Sequence, residues 1–112
     1  MAEFETVARI GEIPVGEGRA YPVNGRMVAV FNLGDEYRAM LDSCPHMGAS
    51  LAAGYLEDGH VTCPWHAWRF CVHDGLWADN PRSNLKTPTF AVRVVDGTIQ
   101  VLVPDPPLRT AV

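Results

Sequence analysis

Lysine occurs once in 112 residues, at Lys86, and the nine basic side chains are outnumbered by thirteen acidic ones, leaving a formal charge of -4. A surface that tracks phosphates needs clustered cations, so nucleic acid is not an expected partner. Long apolar runs are missing as well. The longest, residues 27–31, is far shorter than the ~20 residues of a spanning helix, and Glu3 and Glu5 stand where a secretory signal would be basic. The expectation is a soluble, cytoplasmic chain with no membrane partner. Three cysteines cannot all pair with one another, which places metal ligation or catalysis ahead of a disulfide framework. Helical periodicity is also absent; between Gly48 and Gly54 there is room for about one turn. There is no glycine-rich dinucleotide fingerprint, and a mononuclear iron site would need more histidines than His60 and His73 and another domain's length to hold them. The chain therefore lacks the means to take hydride from a nicotinamide or to activate oxygen by itself.

What the sequence does contain is turns. Ten glycines and nine prolines are spread along a chain that is 47% apolar and 20% charged, the composition of one ordinary globular domain. Asn24-Gly25, Asp58-Gly59, Asp74-Gly75 and Asp96-Gly97 each offer the positive-φ pair favoured by two-residue hairpins. They predict an all-β fold of antiparallel sheets. The clearest hairpin joins residues 89–94 to 98–103, where Phe90, Val92 and Val94, then Ile99, Val101 and Val103, alternate as half-buried strands do, until Pro104 ends the pairing. Further strands are predicted at 3–10, 19–23, 26–32 and 36–41.

The chemistry lies in two short pieces, Cys44-Pro45-His46-Met47-Gly48 and Cys63-Pro64-Trp65-His66-Ala67-Trp68. Each supplies one thiol and one imidazole, the side chains that hold borderline-soft metals, and the proline after each cysteine stiffens its loop. A single zinc ion could take the four groups and make a zinc-stabilised interaction module, but zinc loops usually pair like residues with like. A [2Fe-2S] cluster with two imidazoles on one iron needs one Cys and one His from each of two opposed loops, which is how these residues are distributed.

C-x-H followed after sixteen residues by C-x-x-H, with Pro after each Cys, resembles the Rieske iron-sulfur domain. The run from Cys63 to Phe70, with Asp74-Gly75 after it, is similar to the second cluster loop and following hairpin of Rieske-type ferredoxins and ring-hydroxylating oxygenases. The resemblance implies one Rieske domain over residues 1–103, cluster-binding loops at about 43–70 and a Pro-rich tail at 104–112. It further implies one [2Fe-2S] cluster per chain, with Cys44 and Cys63 on the inner iron and His46 and His66 on the outer iron through Nδ1. Gly48 and Leu51 match the first loop, a small residue near the sulfides and an apolar cover. Ala67 departs from the family, which usually has glycine there, and Cys71 stands where relatives often carry Asp.

Respiratory Rieske proteins carry a disulfide between positions held here by Ala49 and Trp65, and a serine at the position of Trp68. Without those groups the chain resembles the low-potential, ferredoxin-like branch. The implied role is a one-electron carrier, not itself an enzyme, between a flavoprotein reductase and a terminal oxygenase. A small subunit of a nitrite-reductase-like complex is the alternative. Outside the four ligands, His60 and His73 read as surface or hydrogen-bonded histidines, and Cys71 as a small core or interstrand residue. Trp65, Trp68 and Met47 either rim the imidazoles or pack beneath the loops. Arg69 is expected to brace its loop through Asp42 or Asp74.

Overall fold

The computed structural model describes residues 3–44, 49–64, 67–80, 82 and 85–104. Three of the four Gly-containing pairs turn the chain as the sequence predicts. Asn24 (φ 48°) and Gly25 (φ 80°) join β2 (Gly18–Val23) to β3 (Arg26–Asn32). Asp58 and Gly59 join β5 (Tyr55–Glu57) to β6 (His60–Thr62), and Asp96 and Gly97 join β8 (Thr89–Val95) to β9 (Thr98–Leu102). Both central residues are left-handed in each, the geometry whose twist matches that of the flanking strands.

Asp74-Gly75 behaves differently, because only Gly75 has a positive φ. The chain after β7 (Arg69–Cys71) instead makes a wider loop, with the Gly75 amide donating to the Cys71 carbonyl and the Cys71 amide to the Leu76 carbonyl. Gly75 is required there for a second reason: a Cβ would overlap the carbonyl oxygen of Thr87.

β1 (Phe4–Arg9) and β4 (Tyr37–Leu41) complete a six-stranded antiparallel sheet in the order β1-β9-β8-β4-β3-β2. Its two halves meet at a narrow seam, where β4 and β8 pair only through Ala39 with Phe90 and Met40 with Thr89. The sheet curls so that Ala8, Val23, Val28, Val30, Ala39, Ile99 and Val101 share one core. A second sheet, β5-β6-β7, packs its Val61 and Phe70 against Ala29, Phe31 and Met40 of the large sheet.

β3 thus serves both cores, Val28 and Val30 on one face and Ala29 and Phe31 on the other. This is why its sequence is an unbroken apolar run instead of an alternation. On β8 the expected alternation is only partly used: Phe90 and Val92 are half-buried while Val94 is exposed, since among the described residues no sheet covers that end of the strand.

Candidate metal centre

Both predicted ligand loops leave the ends of strands and are closed in the same way. The Cys44 amide donates to the Ala49 carbonyl at 2.8 Å, and the Cys63 amide to the Trp68 carbonyl at 2.7 Å. Each loop therefore starts at a cysteine and is tied back on itself five residues later. Cys44 and Cys63 are both 1% exposed and belong to one apolar cluster with Phe31, Met40, Ala49, Leu51 and Phe70. None of the three cysteines is in a disulfide.

The predicted ligands His46 and His66, together with Pro45, Met47, Gly48 and Trp65, lie outside the described residues. The thiol half of the donor set fits the implied cluster. The two cysteines belong to one apolar cluster and open two loops with matching closures, and a thiolate buried in such surroundings needs a cation beside it.

The first loop is braced by Asp42. Its carboxylate accepts from the Ser50 hydroxyl at 2.8 and 2.9 Å and from the Ala52 amide at 2.8 Å, so the 3-10 turn Leu51–Ala53 hangs from the end of β4. Leu51, the expected cover of the cluster, is fully buried. Gly54 then passes so close to β6 that a Cβ would overlap the Thr62 carbonyl oxygen.

The second loop is clamped by a segment that the sequence alone did not single out. Arg69 takes neither Asp42 nor Asp74. It binds Asp79, with Nε at 3.0 Å and Nη2 at 2.6 Å from Oδ1 and its backbone amide at 3.2 Å from Oδ2. Asp74 instead accepts from the Leu76 amide within its own loop. The Arg69 guanidinium holds the Asp79 carboxyl below the usual carboxylate range, and the carboxylate in turn raises Arg69. Beside this pair Trp68 stacks on Trp77, ring centroids 4.1 Å apart and planes 9° from parallel. Trp68 is thus half-buried against a neighbour and not a free rim. Nothing local in the sequence marks Asp79 or Trp77; they reach the loop because Phe70 bridges Trp77 across the turn.

Ala67, at the glycine position, adopts φ 59°. The left-handed conformation is kept although the residue that makes it easy is gone. His60 is half-buried, with Nδ1 at 3.0 Å from the Asp58 carbonyl, and His73 lies 3.2 Å from Glu36, so both are hydrogen-bonded surface histidines as expected. Cys71 is not a core residue. It lies on the outer face of β7, half-buried, with Sγ 3.9 Å from His73 Nδ1.

A family model for the Rieske [2Fe-2S] domain matches residues 3–99. The ferredoxin subunit of anthranilate 1,2-dioxygenase from Burkholderia cepacia is 35% identical over 101 residues, which is 90% of this chain and 93% of that one. Among solved structures, the ferredoxin of carbazole 1,9a-dioxygenase from Nocardioides aromaticivorans IC177 superposes with a TM-score of 0.81 at 29% identity, covering 88% of this chain and 95% of its own. A chain described as an NADH-dependent nitrite reductase small subunit from Mycobacterium tuberculosis gives 0.83 at 28% identity, covering 100% and 99%.

Proposed function

The chain belongs to the Rieske [2Fe-2S] domain family, and from that premise we propose that it is the ferredoxin of an oxygenase system, taking single electrons from a flavoprotein reductase and passing them to a terminal oxygenase. Its relatives are ferredoxin subunits of dioxygenases, electron carriers and not the catalytic components. When bound, the [2Fe-2S] cluster supplies a one-electron couple.

The four residues that would hold it are Cys44 and Cys63 on the inner iron and His46 and His66 on the outer iron through Nδ1. The observation that carries this assignment is the matched pair of closed loops, each opening on a buried cysteine of the same apolar cluster. The closing hydrogen bonds fix where the sulfurs emerge, and Leu51, Phe31 and Phe70 keep water from them. We assign residues 1–103 to the single domain and 104–112 to a tail outside it. A cytoplasmic location is part of the same proposal. Among the described residues no helix is long and apolar enough to cross a membrane.

Iron and sulfide analysis with the electron-paramagnetic spectrum of the reduced protein tests the assignment. The expected result is about two irons and two labile sulfides per chain, lost in His46→Ala and in His66→Ala but retained in His60→Ala and His73→Ala. Stoichiometric zinc in a colourless protein would overturn it. The nitrite-reductase reading has support of its own, since that small subunit aligns along the whole chain. Copurification separates the two, because a subunit comes out with its large partner and a shuttle comes out alone.

A further inference from the structure

We propose that Cys71, His73 and Glu36 form a thiol-base-carboxylate relay that makes Cys71 a site of reversible thiolation by small disulfides, apart from the cluster and independent of the electron-carrier reading. Phe70 and Val72 point into the core at 0 and 1% exposure, so Cys71 and His73 both project from the opposite face. There Cys71 Sγ lies 3.9 Å from Nδ1 of His73, and Nε2 of His73 lies 3.2 Å from Oε2 of Glu36. Arg38 Nε, 2.6 Å from Oε1, fixes the carboxylate from the far side. The imidazole ring rests over the bare Cα of Gly59, where a Cβ would come within 3.4 Å of Cε1. With Nε2–H donating to Glu36, the Nδ1 lone pair faces the thiol. A nucleophile beside a base that a third group orients is the arrangement of an activated nucleophile.

The relay is open to solvent, His73 and Glu36 being 44% and 37% exposed. It borders a groove of about 460 Å³ lined by Leu33, Leu56, Asp35, Glu57 and Asp58. The charged and titratable groups around it are Asp35, Glu36, Arg38, Glu57 and Asp58, with His60 opposite Cys71 on β6. Carboxylates dominate this ring. They favour a cationic disulfide in the groove over an anionic one.

In the step, the Cys71 proton passes to Nδ1 of His73 while the sulfur attacks one sulfur of the disulfide. The Cys71–S bond forms as the old S–S bond breaks, and the leaving thiolate takes the proton back from the imidazolium. One thiol and one disulfide go in and one of each comes out, so free thiol reverses the step.

The test treats cluster-loaded protein with cystamine and follows intact mass, peptide mapping and visible absorbance together. The expected result is one adduct per chain, at Cys71, with the colour retained, and none in Cys71→Ser. At pH 7 the rate should fall about tenfold in His73→Gln, and less in Glu36→Gln, which leaves the base in place. The deciding comparison is wild type against His73→Gln. Equal rates for the two at pH 7, or labelling that persists in Cys71→Ser, would overturn the proposal. Loss of colour with adducts on Cys44 or Cys63 would do so as well.

Discussion

At Ala67 the backbone sits at φ 59°, a conformation that costs an L-residue roughly 1–2 kcal/mol through the crowding of its Cβ. Ala67→Gly is therefore expected to raise stability by about 1 kcal/mol, read as a higher urea midpoint with the cluster spectrum unchanged. Ala67→Val, whose branched Cβ tolerates that region still less, should lower it. The departure from glycine is legible in the sequence, but its conformation is not, since alanine alone would be assigned to ordinary helical or extended space. Arg69 is a similar case. A guanidinium beside a ligand loop announces a partner without saying which carboxylate, and Asp42, Asp74 and Asp79 are equivalent until the chain is folded.

The second ligand loop, β7 and residues 77–79 form a unit held by the Trp68–Trp77 stack and the Arg69–Asp79 pair. Because Arg69 depresses the Asp79 carboxyl, the folded state binds that proton more weakly than the unfolded chain does. The clamp's contribution is then complete above the unfolded carboxylate value of ~3.9 and is lost as pH falls through the lower folded value. Asp79→Asn removes it at every pH. The stability gap between wild type and Asp79→Asn should thus be open at pH 7 and close on acidification below about pH 4. Urea midpoints across that range check this, and because the pair is exposed the gap should also shrink in high salt. β5, β6 and β7 have three residues each, too short for an alternation to emerge from sequence. The Asp58-Gly59 turn marked the first two, and the resemblance to the second cluster loop and its following hairpin marked β7.

At the scale of the molecule, two sheets meet across β3, and the ligand loops lie at the end where the small sheet covers Ala29 and Phe31. Rieske centres span roughly -150 to +300 mV, and hydrogen bonds to the sulfurs raise the value within that range. Trp68, where the respiratory proteins place serine, has no hydroxyl to donate, and Ala49 removes one half of the disulfide. The midpoint potential is expected in the lowest part of that range, by voltammetry near neutral pH. A value above about +100 mV would mean that other donors reach the cluster.

The sequence by itself determined the antiparallel hairpins at Asn24-Gly25, Asp58-Gly59 and Asp96-Gly97 and the two loops opening at Cys44 and Cys63, and it carries the expectation that Cys44, His46, Cys63 and His66 are the ligands. Each is a matter of residue type at short spacing, where covalent geometry leaves few options. Tertiary structure decided what depends on which surfaces meet. It joined Asp79 to Arg69 and Trp77 to Trp68, set His73 between Cys71 and a carboxylate 37 residues away, and left Val94 uncovered. Contacts of that kind form when two sheets pack, and packing is settled by the sum of many apolar burials rather than by the few polar groups that find one another as a result.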